Sequence, residues 1–196
     1  GLKVAIVPQP DWRGDYRDFK KLGVPRLFFG VSPGAMDSMI NHYTANKRKR
    51  SDDAYTPDRR PGMRPDYPSI VYARILKELY PEVPVVLGGI EASLRRLTHY
   101  DYWSNRLQPS ILASSGADLV IYGMGDRAIL EVARAMRNGY NAKLLRKLPQ
   151  VAFLADAAYV DRLDPEQTLR LHSFEECEAS KEAFGENFTI IERESN

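Results

Sequence analysis

Four short apolar runs constrain this chain more than any other feature: Leu2 to Val7, Leu27 to Val31, Val83 to Leu87, and Leu119 to Tyr122 with Ala117-Asp118 leading in. Each run is apolar throughout instead of alternating, the pattern of strands covered on both faces, as in parallel sheets. Helical periods lie between and after them. Met36, Met39, Ile40 and Tyr43 fall at i, i+3, i+4 and i+7, and so do Tyr72, Ile75, Leu76 and Leu79, then Ile129, Val132, Ala133 and Met136. Each stripe reads as a core-facing helix side. Asp66 is placed to cap the helix that stops before Pro81, and Asp126 the one that ends near Gly139. Strands alternating with helices specify an open α/β sheet.

The character changes from about Lys147. Val151 to Leu154 and Thr168 to Leu171 read as two short strands joined by a turn at Asp164-Pro165. Ser173-Phe174-Glu175-Glu176 has the form of a capping box opening a helix, and Phe188 to Glu194 admits one more strand. The expected organisation is therefore an α/β domain over 1–146 and a small α+β connector over 147–196.

Composition narrows the function. No stretch approaches the roughly 20 apolar residues of a membrane span, and the opening Gly-Leu-Lys-Val-Ala-Ile-Val-Pro does not read as a signal peptide, so a cytoplasmic protein with no membrane partner is expected. The one cysteine, Cys177, excludes an internal disulfide and falls on an apolar helix face, where a buried, inert thiol is expected. Three histidines, His42, His99 and His172, show no HxH or HxxxH spacing, so a self-contained zinc or iron-sulfur site is not expected. With 28 basic against 26 acidic side chains the charge is +2. That balance gives nucleic acid no general support, because non-specific binding rests on a large cationic excess.

Ligands of open α/β sheets gather outside the carboxyl ends of the strands, which directs attention to Gln9 to Trp12, Gly30 to Asp37, Gly88 to Arg96 and Gly123 to Arg127. In Gly123-Met124-Gly125-Asp126 the glycines could bring backbone N–H groups to a phosphate, or Asp126 could simply cap the helix. At the second strand end Ser32 could bind a ligand or stabilise a helix start. Asp37 and Asn41 fall on the face opposite the methionine stripe and could look into a crevice. In "GGIEASLRRLTHYDYW" (Gly88 to Trp103), Glu91 could accept from a ribose hydroxyl, act as a base, or pair with Arg95 or Arg96; Ser93 would lie at the same sheet edge. His99 and Asp101 sit among aromatics that read as a packed plug. Lys47-Arg48-Lys49-Arg50 could clamp phosphates or RNA, or be a solvated face with Asp52-Asp53 pairing part of the charge. The long polar connection from Lys47 to Pro65 points to a lid, a partner surface or disorder.

Several of these stretches together resemble the amino-terminal region of the YgiQ-type radical SAM proteins: "QPDW" (Gln9 to Trp12), "PRLFFGVSPGAMDSM" (Pro25 to Met39), "NHYTANKRKRSDDAYTP" (Asn41 to Pro57), "GGIEASLRRLTHYDYW" and "YGMGD" (Tyr122 to Asp126). "LHSFEECEASKEAF" (Leu171 to Phe184) is similar to that family's connector. The resemblance implies a Rossmann-like, cobalamin-binding-domain-like amino-terminal part of a large cytoplasmic enzyme of unassigned reaction. Its partner would be a radical SAM barrel in the same polypeptide, holding a [4Fe-4S] cluster on a CxxxCxxC motif and cleaving S-adenosylmethionine. That motif is absent here, so no cluster ligand carries over. The cobalamin-ligating DxHxxG pattern is also missing and cobalamin is not expected. Family members have a further strand and helix before the segment matching Leu2 to Trp12, which implies that the chain is a piece. The expected role is an accessory or substrate-binding domain with ligand or interface residues Glu91, Ser93, Arg95 and Arg96, and Ser32, Asp37, Asn41 and Asp126 as neighbours. A nucleotide- or phosphate-binding domain and an RNA- or protein-interaction module are the alternatives.

Overall fold

The computed structural model describes residues 1–139, 145 and 148–195. Its centre is a four-stranded sheet of β1 (Phe29–Val31), β2 (Val85–Leu87), β5 (Leu119–Ile121) and β6 (Val151–Ala152), in the order β1-β2-β5-β6. The first three strands are parallel, with Gly30 opposite Val86 and Leu87 opposite Val120, and β6 closes the edge antiparallel to β5. A separate antiparallel hairpin joins β3 (His99–Asp101) to β4 (Arg106–Gln108). The protein is therefore α/β with an open, mostly parallel sheet.

Continuous apolarity in the strands has the expected cause. Val85, Leu87 and Val120 face one layer, built from α3 (Pro68–Leu79) and α5 (Ile111–Ser115), while Val86, Leu119 and Ile121 face α6 (Asp126–Arg137) on the other. The apolar stripes of α3 and α6 supply Ile75 and Leu76 to the first layer and Val132 and Ala133 to the second, all buried.

Other expectations are corrected. Leu2 to Val7 forms no strand: among the described residues it has no ladder partner, and Val4 and Ile6 are 80% and 81% exposed. The chain after it is instead fastened to the polar connection, with the Gln9 amide donating to the Tyr55 carbonyl and the Trp12 indole to that of Met63. The short helix α2 (Ser38–His42) buries Met39 but leaves Met36 and Ile40 exposed, because its polar side, Ser38, Asn41 and His42, is the one turned inward. Asp66 does not cap α3; Tyr67 holds that position in a left-handed conformation, and Asp66 is occupied by His42 and Tyr43. Asp126 is the exposed first residue of α6 and Gly125 takes the cap, where a β-carbon would stand 2.7 Å from the Ile121 side chain.

Past 147 the only described strand is β6, which joins the main sheet, so the expected α+β appendage is helical. Thr168 to Leu171 pairs with no strand among the described residues, and α7 (Ala157–Val160) stands between it and β6 in the chain. The capping box forms as expected at Ser173 and opens α8 (Phe174–Ala179). Phe188 to Glu194 belongs to a helix, α9 (Lys181–Ser195), because the inward residues Ala183, Phe184, Asn187, Ile190 and Ile191 repeat with helical spacing. The expected 146/147 boundary lies outside the described residues, and so does Asn196.

The turn after β2 determines what can follow it. Gly89 has φ +82°, and a β-carbon there would lie 2.8 Å from Ser32 Oγ and 3.2 Å from the Gly34 carbonyl oxygen. Gly89→Ala is expected to destabilise the domain by roughly 1–3 kcal/mol, read as a lowered midpoint in denaturant unfolding. An unchanged midpoint would mean that the turn relaxes freely.

Candidate functional site

Gly88 and Gly89 turn the chain from β2 into α4 (Gly89–Leu94), and this places Glu91 under the sheet's carboxyl edge, fully buried. Its two oxygens accept from the backbone N–H of Ser38, 3.1 Å, and of Ser69, 3.0 Å, at the first turns of α2 and α3. A buried carboxylate needs such donors, and helix amino-termini suit its charge. One side chain thereby fixes the starts of two helices relative to a third.

One turn on, Arg95 reaches back to Asp37, which also caps α2; both are buried. Burial alone would lower the Arg95 pKa, but the hydrogen bond and charge of Asp37, with Glu91 behind it, raise it. Arg95 also lies with its guanidinium carbon 5.2 Å from the centre of the Tyr67 ring. The Tyr67 hydroxyl donates to Asp101 at 2.9 Å; burial and that neighbouring carboxylate push the phenol well above its ordinary value. Burial pushes Asp101 up, yet the donors Ser104 and Tyr67 outweigh it and hold its carboxyl below the usual range.

A parallel network secures the polar connection. Asp53, 2% exposed, accepts from Asn41 at 2.8 Å, from the Arg64 guanidinium at 3.1 Å and from the Tyr55 amide. Burial raises its pKa, and these donors together bring it below the ordinary carboxylate value. The Lys47 to Pro65 segment is thus ordered around a buried charge. Asp52 pairs with Arg59 and Asp53 with Arg64, so neither neutralises the basic run as expected.

Between α3, α5 and the β3–β4 hairpin lies a cavity of about 320 Å³. Because α3 and α5 run back toward the starts of β2 and β5, their amino-terminal halves and this cavity stand at the end where the parallel strands finish. Ile70, Val71 and Ile111 supply apolar wall; Arg95, His99 and Asp101 supply the polar groups. Arg95 Nε is buried without a hydrogen-bond partner. His99 Nδ1 stands 3.0 Å from the Leu97 carbonyl, which can only accept, so Nδ1 carries the proton and Nε2 keeps its lone pair. Burial lowers the His99 pKa and keeps the ring neutral at pH 7.

Of the residues singled out by sequence, Glu91, Asp37, Asn41 and Arg95 are drawn into these buried networks, and of these four Arg95 lines the cavity. Ser93 donates to the Gly89 carbonyl and accepts from the Gly123 amide, which ties the turns after β2 and β5. Arg96 donates to the Ser93 carbonyl and covers the Tyr122 ring. Ser32 and Asp126 are exposed and apart from the cavity. Sequence reasoning missed Tyr67 and the Asp53–Arg64 pair. The signal for Tyr67 was its place before Pro68; for Asp53 and Arg64 it was the improbability of a polar segment so long without an internal anchor.

Among the described residues no group of three or more His, Cys, Asp or Glu could hold a metal ion. Cys177, 2% exposed, accepts from Asn187, and burial pushes its thiol up. Buried, protonated and alone, it does not fit a [4Fe-4S] cluster, which needs several thiolates.

The radical SAM N-terminal family model matches residues 1–196. The chain belongs to this family. It is 58% identical over 207 aligned residues to a UPF0313 protein of Bacteroides thetaiotaomicron, covering all of this chain and 33% of that protein. It is 60% identical to a UPF0313 protein of Porphyromonas gingivalis, over all of this chain and 31% of the relative. A UPF0313 protein of Thermotoga neapolitana is 46% identical over 95% of this chain and 32% of its own length. The chain thus spans about a third of these curated relatives, as an amino-terminal part of a radical SAM protein. No solved structure matches it, and no helix of the described residues is long and apolar enough to cross a membrane.

The depressed carboxyls give a pH dependence of definite sign. Asp53 and Asp101 contribute stability that is present above the unfolded-state value near 3.9 and lost as pH falls through their lower folded-state values. Asp53→Asn, which leaves Arg64 buried and unpaired, is expected to cost about 3–5 kcal/mol at pH 7 and to flatten the acid limb of the stability curve. Equal acid sensitivity in variant and parent would show that Asp53 is not the group responsible.

Proposed function

We propose that this domain holds the substrate of a cytoplasmic radical SAM enzyme and presents it to a catalytic barrel contributed by the rest of the same polypeptide. The barrel would bind the [4Fe-4S] cluster and S-adenosylmethionine, which supply radical chemistry; the residues described here bind, orient and exclude water. The reading adds a Rossmann-like plan to the α/β sheet and keeps the division into 1–146 and 147–196.

The observation that carries it is the cavity of about 320 Å³ at the strand ends, with Arg95, His99 and Asp101 among its lining. Asp37 neutralises Arg95, Tyr67 and Ser104 hold Asp101 as a carboxylate, and Asp66 and Arg74 also line the cavity. His99 Nε2 remains as a neutral acceptor. Glu91 is a positioning residue, since it fixes the helices that carry the lining without lining the cavity itself. The alternative phosphate site at Gly123 to Gly125 is less favoured, because Ser93 already takes the Gly123 amide and Asp126 adds a negative charge.

The test uses the full-length protein, reconstituted anaerobically with iron and sulfide, and follows 5′-deoxyadenosine formed from S-adenosylmethionine in a cell extract depleted of the protein. Val71→Phe, which fills the cavity, should lower extract-dependent formation by about tenfold, roughly 1.4 kcal/mol, at unchanged iron content. The exposed control Arg127→Gln should leave it unaltered. If Val71→Phe turns over like the parent, the cavity does not hold the substrate.

A further inference from the structure

Lys47, Arg48, Lys49 and Arg50 are all exposed, and the carboxylates nearest in sequence are engaged elsewhere, Asp52 by Arg59 and Asp53 by Arg64. The four cations sit on a defined turn. Thr44 N–H donates to the Arg48 carbonyl and Lys47 N–H to that of Thr44, while Tyr43 and Lys49 form a bridge and Arg50 N–H donates to the His42 carbonyl.

Aromatic faces interleave with the charges. Lys47 Nζ lies 4.7 Å from the centre of the Tyr102 ring and donates to the Trp103 carbonyl. Trp103 is 5.4 Å from Tyr43 and 5.3 Å from Tyr102, ring centre to ring centre, and Tyr102 is 48% exposed. This cluster stands at the cavity. Tyr43 donates to Asp66, Trp103 directly precedes Ser104, and Asp66 and Ser104 both line it.

The two features ask for different parts of one ligand. Inside, the guanidiniums of Arg95 and Arg74, the Asp66 and Asp101 carboxylates, the His99 acceptor and the Ile70, Val71 and Ile111 walls suit a planar group with donors and acceptors on its edge. Outside, four exposed cations with no carboxylate partner among the described residues, Lys47 lying on the half-exposed Tyr102, suit a phosphate chain with stacked bases. We infer that the domain binds single-stranded nucleic acid, with one unstacked base in the cavity and the neighbouring phosphates on Lys47 to Arg50. This rests on the proposal that the cavity holds the substrate, and names its class. The small net charge of +2 fits a local track of four cations better than a general polyanion surface. An extruded base is also the form in which chemistry on a nucleic acid becomes accessible.

The test is fluorescence anisotropy of the full-length protein with a labelled mixed-sequence 12-nucleotide RNA and its DNA counterpart, between 50 and 200 mM potassium chloride. Binding to at least one is expected, with log affinity falling against log salt at a slope of about −3, since each neutralised phosphate on a single strand contributes ~0.7. The double variant Arg48→Glu/Lys49→Glu, at unchanged unfolding midpoint, should weaken binding more than tenfold and halve the slope. Val71→Phe should weaken binding without altering the slope, because it removes only the base site. Preference for RNA over DNA, or its absence, identifies which strand is the source while supporting the inference either way. Failure of both strands to bind, or binding indifferent to either variant, overturns it. If no strand binds while Val71→Phe still suppresses 5′-deoxyadenosine, the nucleic-acid inference falls and the cavity reading stands.

Discussion

The structure turns on a single buried carboxylate. Glu91 has no access to water, and a charge in that position survives only where the protein supplies what water would. Two backbone amides from the first turns of α2 and α3 do so, at the helix ends whose dipoles favour a negative charge. The Gly88-Gly89 turn delivers Glu91 there, and no residue with a β-carbon fits Gly89 without displacing the Ser32–Gly34 loop. Three helices thus take their relative positions from one side chain. Asp37 and Arg95 meet because α2 and α4 are so fixed, and the cavity wall follows from that pairing.

The polar interior is extensive, and much of its charge is paired. Asp37 pairs with Arg95 and Asp53 with Arg64, while Asp101 keeps its charge and is held by hydrogen bonds from Tyr67 and Ser104. Toward the cavity they leave the His99 acceptor and the charged groups of Asp66, Arg74 and Asp101. The exposed cations lie outside, on a turn whose backbone is well bonded. On the proposed reading a ligand would meet charge first and shape second, an order that favours fast encounter and then selection by fit.

Much of the fold was legible because continuous apolarity and helical spacing have simple causes. β1, β2 and β5 fall inside their expected runs, and the stripes of α3 and α6 face the layers expected of them. The failures share a reason: pairing and burial depend on neighbours that spacing does not show. Leu2 to Val7 has strand composition without a partner, and Phe188 to Glu194 has strand composition but helical burial. In α2 the methionine stripe was the more apolar side, but Asn41 and His42 turn inward because Asp53 and Asp66 wait there. The site was half legible. Strand-end logic drew attention to Gly88 to Arg96 and to Asp37, whereas Tyr67, Asp53 and Arg64 act through contacts 11 to 34 residues distant in sequence.

The central claim, that the cavity beneath the β3–β4 hairpin receives the substrate, is tested most directly by photo-crosslinking. A benzophenone amino acid replacing Ser104 in the full-length protein, irradiated during turnover and analysed by mass spectrometry, should yield an adduct carrying the substrate's mass. Val71→Phe in the same protein should abolish it. Labelling of solvent or barrel alone, while turnover continues undiminished, would contradict the account.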